Sequence, residues 1–359
     1  MRQLPVLILL ILSAGLASAQ RGEMPEITLH PGDPAPDLYV SKWLGGEGVE
    51  SFAKGTVYVV ELWATWCGPC IQSMPHLSAL NTEYRDKGVV FLGLNVDAES
   101  SQKDIPAFMT TMGEKMNFVV GLDTFEPAKL GAGPVSLISK NWLEASGQRG
   151  IPSTFVVGKE GRVVWMGHPA ELDEPLKKIQ ADDWDVVAFK ALRDKKTALN
   201  DRLQTAYRAK KWDAMITVFD ELAVIQPEMK ARFNISKVQI LLRLKKDYDA
   251  AYALLRELMN GELAEDAQTL NEIAYTIASD EAITQRDDAL VLEMALKADA
   301  LTDHSNAPIL DTLALAYLNA GQKEKAIETQ TLAISKVDDD DKKLKKQLKK
   351  VLKKMQAEE

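Results

Sequence analysis

The chain of 359 residues contains two cysteines, Cys67 and Cys70, and they stand three apart. The bridge they can form within the chain closes a four-residue ring. A crosslink stabilises a fold chiefly by removing conformations from the unfolded chain, and so short a loop removes few. The pair therefore reads as a redox couple rather than a structural staple.

The flanking sequence says where the pair sits. Residues 56–63 (TVYVVELW) form a continuous apolar run of β-branched and aromatic residues, the pattern of a buried strand. After Cys70, the residues Ile71, Met74, Leu77, Leu80 and Tyr84 recur at three- and four-residue steps, which predicts a helix. Cys67 thus falls where a strand ends and a helix begins. Unpaired backbone N–H groups and the positive end of the helix dipole favour a thiolate there. Pro69 suits the first helical turn, where its missing N–H costs nothing. Cys70, one turn in, is within reach of a mixed disulfide on Cys67, so Cys67 reads as the nucleophile and Cys70 as the resolving thiol. Zinc is the other common use of such a pair, but structural zinc needs four ligands. The chain has no second cysteine pair, and His30, His76, His168 and His304 are scattered. No metal or cofactor is expected.

The remainder of the first half alternates strand and helix. Gly88 ends the helix and residues 89–96 (VVFLGLNV) form a second buried strand, so that strand, helix and strand make a parallel crossover. A helix over 101–112, a short strand over 118–122, a loop at Gly131, Gly133 and Pro134, and a helix over 135–145 follow. Residues 151–157 and 163–166 then form a hairpin around the turn at 159–162. Pro31, Pro34 and Pro36 make the lead-in extended.

Three expectations concern what surrounds this core. Residues 1–19 read as a cleaved export signal: Arg2, an aliphatic run from Leu4 to Leu12, and Ala17-Ser18-Ala19. That run is too short to span about 30 Å of hydrocarbon, so no stable membrane span is expected and the mature protein is placed outside the cytoplasm. Residues 20–183 form the α/β domain, and 184–359 an all-α domain in which Ala, Leu, Lys and Glu dominate. Within it, Leu310, Leu313, Ala314, Tyr317, Gly321, Ala326 and Ala333 match the spacing of a tetratricopeptide unit, with looser marks at Ala214, Ala250, Ala274 and Ala289. In the tail, Leu344, Leu348, Val351, Leu352 and Met355 share one face of a lysine-rich helix. Capping the helical array is the favoured role, with anionic lipid or a protein partner as the alternative. A net charge of −9 argues against a nucleic-acid binder.

The segment Trp63-Ala64-Thr65-Trp66-Cys67-Gly68-Pro69-Cys70 resembles the active-site segment of thioredoxins. With the lead-in Gly32-Asp33-Pro34-Ala35-Pro36 and the downstream Gly150-Ile151-Pro152-Ser153-Thr154-Phe155, it is similar to the TlpA/ResA branch of exported thiol–disulfide oxidoreductases over about residues 30–170. The resemblance implies a thioredoxin fold, a central mixed sheet flanked by helices, with Pro152 as a cis-proline and the Ile151 backbone binding an extended substrate. It makes Glu61 a buried acid serving Cys70, and Trp66, Gly68 and Pro69 the substrate surface. Pro75 would kink the long helix. Ser73 departs from a glutamate that some relatives carry there, and the stretch from Thr124 to Gly147 is longer than a minimal thioredoxin needs. Peroxiredoxins share the fold, but the residues before Cys67 lack their Pro-x-x-x-Thr/Ser-x-x-Cys pattern.

The expected function is thiol–disulfide exchange with protein or small thiol substrates, re-reduced by an external electron donor. Gly-Pro between the cysteines leans towards reduction, although 30 mV is only about 1.4 kcal/mol. The competing expectation is an interaction scaffold, in which the helical domain gathers a protein partner and the α/β domain presents a surface.

Overall fold

The computed structural model describes residues 27–127 and 133–357. The proposed export signal, residues 1–19, and Gly131 lie outside the described residues. Those up to Lys195 form one compact unit and those from Lys196 another.

The first unit is built on a six-stranded mixed sheet. Its strands are β1 (Val40–Leu44), β2 (Val57–Trp63), β3 (Val89–Asn95), β4 (Val119–Asp123), β7 (Ser153–Val157) and β8 (Val163–Gly167), with β5 (Phe125–Glu126) and β6 (Val135–Ser136) pairing separately. The order is β1-β4-β3-β2-β7-β8. Strands β2, β3 and β4 run parallel, while β1, β7 and β8 join antiparallel. Helix α1 (Gly68–Tyr84) makes the crossover between β2 and β3 and carries Pro75 in its interior. A left-handed Gly88 (φ 80°) closes the turn that follows.

Every residue of β2 is buried. Strand alternation sorts them: Val57, Val59 and Trp63 pack with Met74 and Leu77 of α1, while Tyr58, Val60 and Leu62 pack on the other face with Trp142 and Phe155. On the α1 face, Gly93 of β3 leaves room for two rings. A Cβ there would stand 2.7 Å from Phe118 and 3.1 Å from the Trp63 indole nitrogen. Trp63 in turn stacks on Phe108 of α2 (Ile105–Met112), with ring centroids 5.4 Å apart.

Two segments differ from the sequence expectation. The helix expected over 101–112 is a 3-10 stretch, Glu99–Asp104, leading into α2. The stretch expected to be helical over 135–145 opens as β6 and continues as a π-helix, Ser139–Glu144. The reason lies in buried Asp123, whose carboxylate accepts hydrogen bonds from the Ser136 hydroxyl and, at 3.1 Å, from the Ile138 N–H. It secures the residues around β6 to the end of β4. Trp142, fully buried, adds a bond from its Nε1 to the Asp37 carbonyl at 2.9 Å.

Helix α3 (Asp173–Gln180) completes the layer on the α1 side, through Leu176 and Ile179. The change of composition at Trp184 precedes the division at Lys195 because the start of α4 (Val186–Arg208) still packs on the sheet unit. Phe189 stacks on Trp165 and lies tilted against Trp184, the Trp184 Nε1 donates to the Val164 carbonyl, and Arg193 donates to the Ser146 carbonyl.

The second unit is entirely helical among the described residues. It contains the end of α4, then α5 (Trp212–Ile225), α6 (Lys230–Gln239), α7 (Tyr248–Asn260), α8 (Ala267–Ser279), α9 (Asp288–Ala300), α10 (Ala307–Asn319), α11 (Lys323–Ser335) and α12 (Lys342–Ala357). Helices α7 to α11 each have 13 residues. Four of them begin with a side-chain cap, from Asp247, Asp266, Asp287 and Asn306, satisfying an N–H the helix leaves free. Small residues are fully buried where helices approach: Ala251, Ala274, Ala295, Ala314, Ala326 and Ala333. Ala214, Ala250 and Ala289, taken from the sequence as marks of earlier repeats, are instead exposed. One residue along a helix turns the side chain by about 100°, and it is the next position, Met215, Ala251 and Leu290, that is buried.

A Gly93→Ala substitution should lower stability by about 1–3 kcal/mol, the ordinary cost of overpacking a filled core. The urea midpoint should fall with the slope of the transition unchanged.

Candidate active site

Cys67 and Cys70 are bonded to each other, with their Cα atoms 5.2 Å apart. Cys67 is the N-cap of α1, and its sulfur accepts the backbone N–H of Cys70 at 3.2 Å. The geometry follows from the sequence. The buried strand ends at Trp63, the chain turns with the Cys67 N–H bonded to the Ala64 carbonyl, and Pro69 enters the first turn of the helix. Both cysteines are buried, whereas Gly68 and Pro69 are exposed and Trp66 is 72% exposed. The tryptophan lies on the surface, next in sequence to Cys67.

Pro152 follows a cis peptide bond from Ile151. The register explains its place. Ser153 pairs with Leu62, so Pro152 lies at the same end of the sheet from which the chain leaves β2 towards Cys67. Ile151 and Pro152 are half-buried, and Ile151 packs against the apolar cluster that contains both cysteines.

Glu61 is 3% exposed, in the middle of β2. Since Val59 and Trp63 face α1 and the cysteines, alternation puts Glu61 on that face too. Its cross-strand neighbours are Gly93, with no side chain, and Thr154, whose hydroxyl donates to Glu61 Oε2. The other oxygen, Oε1, has no hydrogen-bond partner among the described residues. Burial pushes the Glu61 carboxyl from 4.5 up to about 8, against the smaller lowering effect of the Thr154 hydrogen bond. Ser73 turns back into its own helix and bonds the Cys70 carbonyl at 2.9 Å.

Two residues of this site escape a reading of the sequence. Asp97 is 1% exposed, and its Oδ2 accepts the Thr65 N–H at 2.9 Å and the Asn95 side-chain amide at 3.0 Å. Asn95 Oδ1 accepts the Asp97 N–H in return, and the Val96 N–H bonds the Trp63 carbonyl. The end of β3 therefore holds the turn that delivers Cys67. The available signal was the polar pair Asn95 and Asp97 closing an otherwise apolar strand. Nothing in the sequence indicates that it meets Thr65, thirty-two residues away.

A cysteine pair capping a helix after the central strand of this sheet, with a cis X-Pro bond at the same end, defines a thioredoxin-fold redox protein. Comparison with known proteins agrees. Residues 30–182 match the Redoxin family. FixW of Rhizobium leguminosarum is 26% identical over 216 residues, covering 56% of this chain and 93% of that protein. Thiol-disulfide oxidoreductase ResA of Bacillus cereus is 30% identical over 181 residues, covering 48% of this chain and 94% of that protein. Among solved structures, a thiol:disulfide interchange protein of the thioredoxin family from Chlorobium tepidum is similar at 22% identity and a TM-score of 0.31, covering 41% of this chain and 96% of that one. The chain belongs to the TlpA/ResA-like branch of the thioredoxin family.

The Glu61 carboxyl has a direct consequence for stability. Between about 4.5 and about 8 the folded protein holds a proton there that the unfolded chain has released. Stability from this group is therefore fully present below 4.5 and falls as pH rises towards 8. Glu61→Gln should flatten this slope and gain on the order of 3 kcal/mol over wild type at pH 7, measured by urea unfolding across the pH range.

Proposed function

We propose that the protein catalyses thiol–disulfide exchange through Cys67 and Cys70, in the direction of disulfide reduction. The observation that carries this reading is the cysteine pair at the N-terminus of α1, bonded to each other, with a buried carboxyl on the same face of the sheet. In the reduced protein the Cys67 thiolate attacks a substrate disulfide. One substrate sulfur leaves as a thiolate and the other becomes bonded to Cys67. The Cys70 thiolate then attacks Cys67, the second substrate sulfur leaves, and the Cys67–Cys70 disulfide forms. The substrate gains two electrons, and an external dithiol donor restores the pair.

Glu61 serves the second step. As a carboxylate it accepts the Cys70 proton through Oε1, and the raised pKa leaves it protonated for most of the time at neutral pH. Trp66, Gly68 and Pro69 form the exposed apolar rim, and the Ile151 backbone before Pro152 offers an edge to an extended peptide. The protein works outside the cytoplasm after removal of residues 1–19. Residues 184–359 serve as a tetratricopeptide-like array that recruits a protein partner. Five consecutive 13-residue helices with fully buried alanines support that reading. Among the described residues no helix is long and apolar enough to cross a membrane.

Wild type should reduce insulin when supplied with a dithiol, and Cys67→Ser should be inactive; equal rates in the two would overturn the enzymatic reading. Cys70→Ser should hold substrates as mixed disulfides on Cys67, visible as adducts that a reductant releases. Resolution of a mixed disulfide should accelerate up to about pH 8 in wild type. In Glu61→Gln that limb should be lost and the rate at neutral pH reduced by about ten- to a hundredfold, the range of general acid–base assistance. Rapid mixing at a series of pH values reads both.

A further inference from the structure

Helix α12 is the most concentrated charge in the molecule. Its sixteen residues include eight lysines and no acid, within a chain whose net charge is −9. Packing decides which way they face. Leu348 and Met355 are buried, the first against Ala307, Leu310, Ala333 and Val337, the second against Ala314 and Ala326. Fully buried Gln330 of α11 donates to the Leu348 carbonyl at 3.3 Å and to Asp311 at 2.8 Å, tying α12 to its neighbours. The apolar face is thereby used up within the unit. Lys342, Lys343, Lys346, Lys349, Lys350, Lys353 and Lys354 are exposed, and among the described residues the one ion pair of the helix joins Lys345 to Asp339.

We propose that the lysine ridge of α12 docks the protein on an anionic lipid surface. The ridge from Lys342 to Lys354 runs about 18 Å along the helix at 1.5 Å per residue. It has no acid to shape a specific pocket and no aromatic side chain to stack on a base or ring. A ridge of mobile ammonium groups on flexible stems suits a plane of many phosphates better than one defined anion. Because the apolar face is occupied, attachment is electrostatic and reversible rather than insertion of an amphipathic helix. Lysines at such a surface each contribute about fivefold to partitioning, so several acting together suffice for stable attachment.

The test is co-sedimentation of the intact protein with phosphatidylcholine vesicles containing or lacking phosphatidylglycerol. Wild type should bind the anionic vesicles preferentially and be released by high salt. The variant carrying Lys346→Gln, Lys349→Gln, Lys350→Gln and Lys353→Gln should lose at least about a hundredfold in partitioning, whereas arginine at the same four positions should retain it. A control with Lys54→Gln, Lys103→Gln, Lys115→Gln and Lys177→Gln has the same net charge and should bind as wild type. Far-UV circular dichroism checks that each variant is folded. Equal binding to both vesicle types, no binding to either, full binding by the α12 glutamine variant, or an equal loss in the control would overturn the proposal. Capture by poly-glutamate in place of vesicles would do so too, assigning the ridge to an acidic protein.

Discussion

The first unit depends on the burial of β2 along its whole length. A strand covered on both faces and paired on both edges leaves no room for a polar side chain without a partner. Three consequences meet at its end. Alternation aims Val57, Val59, Glu61 and Trp63 at α1, pairing with β7 brings Thr154 to Glu61, and pairing with β3 brings Asp97 beneath the turn before Cys67. The reactive turn is thus held from both neighbouring strands. Its chemistry needs a sulfur placed at a helix N-terminus, and its geometry is supplied by a strand that cannot slip by one residue without expelling its core.

Glu61 shows how such a frame shifts the titration of a carboxyl at a cost in stability. A carboxyl buried among apolar side chains, with one hydroxyl donor, is held largely protonated near neutrality. The same group in water would be ionised and would hold no proton to exchange. Asp97 sits in a different hydrogen-bonding environment. It is equally buried, but it accepts hydrogen bonds from the Thr65 backbone and the Asn95 amide, and it serves as a structural clasp. The two buried acids differ in the donors around them.

The helical unit follows a different logic, in which local signals recur instead of converging. Each of four helices opens with its own Asp or Asn cap, and small residues mark the crossings. Such signals are visible in sequence, but the face they belong to is not. Ala250 and Ala251 are neighbours in the chain, one exposed and one fully buried. Composition cannot choose between adjacent alanines. The partner helix chooses.

The cysteine pair, its position at a strand-to-helix junction and the buried strand before it were legible from residues 56–84 alone, because periodicity and the isolation of the two cysteines are local facts. So were the hairpin after Pro152 and the change to helical material near residue 184. The opening of the segment 135–145 as β6 was not legible, since Ser136 and Ile138 are held by the Asp123 carboxylate arriving from another strand. Nor was the clasp from Asp97 to Thr65, or the degree to which Glu61 is shielded. For the Cys67–Cys70 couple itself, the sequence by itself determined that two thiols stand one helical turn apart at a helix start. Tertiary structure decided what surrounds them, because hydrogen-bond donors, burial and the charge state of a carboxyl are set by residues that only the sheet register brings together.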